Sequence, residues 1–213
     1  MKRLLVSSLL LVILTLSPLD LGWSQPTDHV ATKAQLVPRI GSVPTITVAI
    51  YDDLHLSLQI LAAAQDEAMR IYRKAGLTIY WMVCKSSTTE LDLRCQDSPS
   101  ATHLNLRIVQ HASKASDGVF GVAFLSAEGT GAYTDVSYNS VEELDREWHV
   151  GVARVLGHVM AHEIGHLLLG SNAHSRQGIM CPSWRRDELR RASMGALLFS
   201  EEQARFMRER LAR

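Results

Sequence analysis

VGVARVLGHVMAHEIGHLLL, residues 150–169, contains no proline and repeats apolar side chains at Val152, Val155, Leu156, Val159, Ile164 and Leu167 to Leu169. That spacing predicts an α-helix, and the scarcity of polar positions predicts that it is largely buried. His162, Glu163 and His166 sit in its second half. In such surroundings they need partners, because a charge-capable group taken out of water is costly when left alone.

His162 and His166 are one helical turn apart, so their side chains leave the same face with β-carbons about 5–6 Å from each other. Both imidazoles can then reach one ion. Glu163 follows the first histidine and stands beside such an ion without ligating it, where a carboxylate can take a proton from water. A catalytic zinc takes three protein ligands and keeps one position open, so a third ligand is required from downstream. Two residues offer themselves. His174 follows Gly170, which can end the helix in a left-handed cap and turn the chain back. Glu188, with Asp187 as its weaker form, lies at the start of a further helical stretch, where the run Asp187-Glu188-Leu189-Arg190-Arg191 also reads as a solvated helix face. His158 lies one turn before His162 and reads either as a core histidine or as a donor to a ligand. The competing uses of the helix are a hydrogen-bonded pair of core histidines with Glu163 ion-paired to one, and a structural zinc, which ordinarily fills all four positions with Cys and His.

From His162 to His174 the chain runs HEIGHLLLGSNAH, followed by Gly178-Ile179-Met180. This stretch resembles the metzincin family of zinc peptidases, whose pattern is HExxHxxGxxH and then a methionine turn. Here one residue more precedes the glycine and one more separates Gly170 from His174. The resemblance implies one zinc ion held by His162, His166 and His174, with Glu163 as catalytic base and Met180 as an apolar floor beneath the metal. It also implies an α+β, zincin-like fold: a small twisted mixed sheet with an upper helix, a buried active-site helix and a short C-terminal helical part. The expected activity is endopeptidase hydrolysis of a peptide or protein substrate by metal-activated water. Some related families add a tyrosine after the methionine turn, and this chain has none beyond Tyr138. The alternatives are an exported zinc-binding protein without peptidase activity, a zinc amidohydrolase acting on non-peptide amides, and an adhesive domain in which the helix is only core.

Upstream, TITVAIY (Thr45 to Tyr51) reads as a buried strand ended by Asp52-Asp53. From Ser57 as N-cap, Leu58, Leu61, Ala62, Ala68, Ile71 and Tyr72 recur at helical spacing until Gly76. LTIYWMVC (Leu77 to Cys84) predicts a second strand, parallel to the first through a right-handed crossover, and LNLRIVQ (Leu104 to Gln110) a third. The glycine-rich residues 117–138 predict one or two strands at a sheet edge, to which an extended peptide can add, with Cys181 to Trp184 walling the adjoining pocket. Ser200 opens a last amphipathic helix carrying Ala204, Phe206, Met207 and Leu211.

A chain of 213 residues with 46% hydrophobic content suits one folded domain. The 22 basic and 22 acidic residues balance, leaving no net field to draw the chain onto nucleic acid or an anionic membrane. Lys2 and Arg3 precede an apolar run from Leu4 to Leu16, then Pro18, Gly22 and Ser24, the layout of a signal peptide over residues 1–24. The run is shorter than the ~20 apolar residues of a spanning helix, so no stable membrane insertion is expected. Three of the six prolines fall in residues 26–44, predicting an N-terminal arm over 25–44 and a single domain over 45–213. A secreted or otherwise extracytoplasmic location permits disulfides, and a bridge between Cys84 and Cys95 would close the short polar segment between them. Cys181 is left over, either as a small buried hydrophobe or as a thiol near the metal region.

Overall fold

The strand TITVAIYD, β1 (Thr45–Asp52), lies inside the sheet and pairs in parallel on both sides. Together with β2 (Thr78–Cys84), β3 (His103–Val109), β4 (Gly121–Phe124) and β5 (Tyr133–Ser137) it forms a five-stranded sheet in the order β2-β1-β3-β5-β4. β1 runs parallel to β2 and β3, β3 parallel to β5, and β4 closes one edge antiparallel to β5. The helices are α1 (Leu58–Lys74), α2 (Tyr138–Trp148), α3 (Val152–Leu169), α4 (Arg186–Ser193) and α5 (Glu201–Leu211). This computed structural model describes residues 43–84, 95, 98–112 and 120–212, all within the compact unit Gly41–Arg213. The expected signal peptide, the expected arm up to residue 42 and residues 117–119 of the glycine-rich stretch lie outside the described residues.

Alternation along the parallel strands sends Ile46, Val48 and Ile50 of β1, and Leu104, Leu106 and Ile108 of β3, into one apolar cluster with α1 and α3. α1 contributes Leu61, Ala64, Ala68, Ile71 and Tyr72. Its expected members Leu58 and Ala62 are exposed instead, because the buried stripe starts at Leu61 and recurs from there. Ser57 caps α1 by accepting from the Ile60 N–H. The Tyr72 hydroxyl donates to the Ala161 carbonyl at 2.9 Å, tying α1 to the middle of α3. Of α5, Ala204 and Met207 are buried and Phe206 is half exposed.

The glycine-rich stretch divides between two strands of different station. β4 is the edge strand, as expected, but β5 is internal, paired on both sides. α2 had no counterpart in the sequence reading: β5 runs into it at Tyr138 without a turn residue, so the apolar stretch Tyr133 to Tyr138 spans a strand end and a helix start. Gly170 ends α3 with positive φ (83°), yet with ψ of −156° it is extended and not in the left-handed helical cap conformation. The region is open essentially to glycine alone, and a β-carbon there would lie 2.8 Å from the Gly129 carbonyl oxygen.

Candidate metal centre

α3 brings its ionisable residues inside as its composition requires. His158, His162 and Glu163 are all nearly sealed from solvent. Beyond Gly170 the chain turns back and places His174 against the helix. The ring nitrogens of His162, His166 and His174 come within 4.8 Å of one another, the one such group of histidine, cysteine or carboxylate side chains among the described residues. Burial falls from His162 through His166 to His174, so the cluster opens to solvent on the His174 side. Of the two residues by which this spacing exceeds the HExxHxxGxxH pattern, the one before Gly170 is taken up by α3, which runs to Leu169, and the one after it by the turn, where Asn172 takes a positive φ of 63°. From α5, Arg210 donates to the Leu168 carbonyl at 3.1 Å and Gln203 to the Ala173 carbonyl at 3.4 Å, holding both ends of that turn.

The imidazoles converge as neutral bases. Burial, with His166 next in effect, pushes His162 down to about 3. Burial, with His174 beside it, pushes His166 down to about 4, and His174 is lowered by burial alone. The His162 Nδ1–H donates to the Ile179 carbonyl at 2.7 Å. A carbonyl only accepts, so the proton sits on Nδ1 and the Nε2 lone pair is free to ligate. His162 Nε2 lies 3.1 Å from His166 Nε2. Three neutral nitrogens converging without an acidic cluster match the donor set of a catalytic zinc site, with room for a further ligand.

Glu163 stays outside that triad. Burial raises its carboxyl from 4.5 to about 8. It is pressed against β4, where a β-carbon on Gly121 would stand 2.9 Å from its Cδ and collide with the Asp135 carbonyl. Phe120, Ala123, Leu125 and Pro182 join the three histidines and Glu163 around a cleft of about 350 Å³. A larger hollow of about 570 Å³, beside the Arg107–Asp135 ion pair and Tyr133, contains none of these four residues.

Met180 is fully buried, and its Sδ would lie 2.7 Å from a β-carbon added to Gly165 of α3. It therefore packs directly beneath the histidine helix. The turn that carries it is pinned by Ser175 N–H to Met180 O (2.9 Å) and Ile179 N–H to Leu198 O (3.0 Å). Glu188 is elsewhere: its carboxylate accepts from the Arg185 N–H at 3.1 Å and starts α4. His158 is a core histidine, its Nδ1–H donating to the Arg154 carbonyl at 2.9 Å and its Nε2 3.5 Å from Glu67. Cys181 is half exposed and outside the histidine cluster, its thiol directed to the Ser183 carbonyl. Phe120 and the Ile179 carbonyl were not anticipated. Neither carries a local signal, since one is a lone aromatic in a glycine-rich stretch and the other a backbone atom.

The fold is similar to that of a zinc-dependent peptidase from Methanocorpusculum labreanum, with a TM-score of 0.51 and 15% identity over 75% of this chain and 99% of that one. An archaemetzincin from Methanopyrus kandleri aligns over 84% of this chain and 100% of its own, with 18% identity and a TM-score of 0.49. No protein-family model matches the chain. No curated protein matches it.

Proposed function

We propose that this chain is an exported, zinc-dependent endopeptidase of metzincin type, with His162, His166 and His174 as ligands of one ion and Glu163 as general base. The observation that carries this reading is the convergence of three neutral imidazoles beside a buried carboxyl group in one cleft. The structural neighbour from Methanocorpusculum labreanum is described as a zinc-dependent peptidase, which agrees with it. A zinc ion held there supplies Lewis acidity, acidifying water and polarising a carbonyl.

The protein's own residues supply the rest. Glu163, raised by burial to about 8, exchanges a proton near neutral pH and can pass it from water to the leaving amine. A nearby cation favours its ionised, accepting form. Phe120, Ala123, Leu125 and Pro182 give the cleft apolar walls that limit water around the reacting carbonyl. β4 offers its unpaired edge beside the cleft, so an extended substrate can add to it through backbone hydrogen bonds. Residues 1–24 direct export, and the mature chain acts outside the cytoplasm.

The test is zinc content and peptide cleavage for the wild type, Glu163→Ala, His174→Ala and Glu188→Ala. Glu163→Ala retains zinc and loses about 10²–10⁴-fold in turnover. His174→Ala loses zinc affinity and Glu188→Ala loses neither property. Zinc retained in His174→Ala but lost in Glu188→Ala would overturn the ligand assignment. Stoichiometric zinc without cleavage of any peptide would favour the binding-protein or amidohydrolase reading.

A further inference from the structure

We propose that Trp184 is a positioning residue for His162: by sharing the Ile179 carbonyl it fixes which imidazole nitrogen faces the cleft. This rests on the metal-site reading above and deepens it. The indole of Trp184 is buried. Its Nε1–H donates to the Ile179 oxygen at 3.1 Å, the atom that also accepts the His162 Nδ1–H at 2.7 Å. A carbonyl oxygen has two lone pairs, and these two donors occupy both. The carbonyl is thereby held in one orientation, and its hydrogen bond selects the His162 tautomer that leaves Nε2 free.

Ring packing supports the same role. His162 stands edge-on to Trp184 (centroids 5.8 Å, 83°) and to Phe120 (5.5 Å, 86°), while Phe120 and Trp184 lie 4.4 Å apart. The imidazole therefore packs against one side of the Phe120–Trp184 pair, and a ring flip would exchange Nδ1 for a carbon and break the bond to Ile179. Among the described residues the hydrogen-bond contact of His166 is to the His162 ring, Nε2 to Nε2 at 3.1 Å, whereas His162 is tied to a main-chain carbonyl, so His162 is the ligand of the three anchored to the backbone. Trp184 is far enough along the chain to be missed as a contact of His162, and the Gly178 to Trp184 turn is what returns it.

The discriminating substitution is Trp184→Phe, which keeps an aromatic ring and removes the N–H. Three readings are taken on the whole protein: the His162 tautomer in metal-free protein by long-range ¹H–¹⁵N NMR, the zinc dissociation constant by chelator competition, and the visible spectrum of the cobalt(II)-substituted form. The expected result is loss of the single Nδ1–H form, a roughly tenfold or greater weakening of zinc binding, and an altered cobalt spectrum. Should Trp184→Phe fold poorly, 3-benzothienylalanine at 184 removes the N–H while preserving the bicyclic shape. Wild-type tautomer and zinc affinity in either variant, whatever happens to its melting temperature, would reduce Trp184 to core filling and overturn the proposal. A wild type that binds no zinc would sink the function proposed above, and the metal-free tautomer reading would still decide the role of Trp184.

Discussion

Burial acts on Glu163 and on the histidines in opposite directions for one reason: it penalises whichever form is charged. Glu163 rises to about 8 and keeps its proton; His162 and His166 fall to about 3 and about 4 and shed theirs. Between 4.5 and 8 the folded state of metal-free protein holds a proton on Glu163 that the unfolded chain has released, so this group lowers stability as pH rises through that window. Between 6.5 and 3–4 the unfolded chain binds protons at His162 and His166 that the folded state excludes, so these two lower stability as pH falls. Each contributes at most about 1.4 kcal/mol per pH unit. Melting curves of metal-free protein from pH 4 to 9 should therefore show the site's contribution highest near pH 6.5, and Glu163→Gln should abolish the decline above it while leaving the decline below. A wild-type profile that keeps rising from pH 6.5 to 8 would contradict the assignment.

At the scale of elements, the site depends on how closely α3 is approached from two sides. Met180 lies beneath it with no solvent exposure, filling volume that a smaller residue leaves empty. Met180→Ala should cost about 2–5 kcal/mol, whereas Met180→Leu, nearly volume-conserving, should cost under about 1.5 kcal/mol; denaturant titration separates them. On the other side, β4 reaches Glu163 only because Gly121 lacks a β-carbon. Gly121→Ala should displace the strand or the carboxyl group, costing roughly 1–3 kcal/mol and lowering kcat/KM with zinc content unchanged. Wild-type kcat/KM in that variant would show that β4 does not set the Glu163 position.

For the molecule as a whole, the sheet separates what stabilises from what reacts. Cys84 and Cys95 are bridged. Cys84 pairs in register with Tyr51, one position out of phase with the core residue Ile50, so the bridge lies away from α3. The Tyr51 hydroxyl donates to the Cys95 carbonyl at 3.1 Å, adding a second tie to the same loop end. Replacing both cysteines by serine should cost about 2–4 kcal/mol of stability and leave zinc stoichiometry intact. Loss of zinc from a folded double variant would mean that the bridge reaches the site. Among the described residues no helix is long and apolar enough to cross a membrane.

Local spacing was enough to place β1, α1, β2, β3 and α3, because strand and helix periodicities and the Ser57 and Ser200 caps are written within a few residues of where they act. The pairing of His162 with His166 was legible for the same reason, being a property of a single helix. What depends on the chain returning to itself was legible only in part: the parallel pairing of β1 with β2 and, through the pattern resemblance, His174 in preference to Glu188 were expected, whereas the internal station of β5 and the shared carbonyl of Ile179 come from contacts between segments distant in sequence. Sequence determined which side chains could bind a metal and which face of a helix would carry them. Only the tertiary structure decided which of them meet, because burial and convergence are properties of packed elements and not of any one stretch of chain.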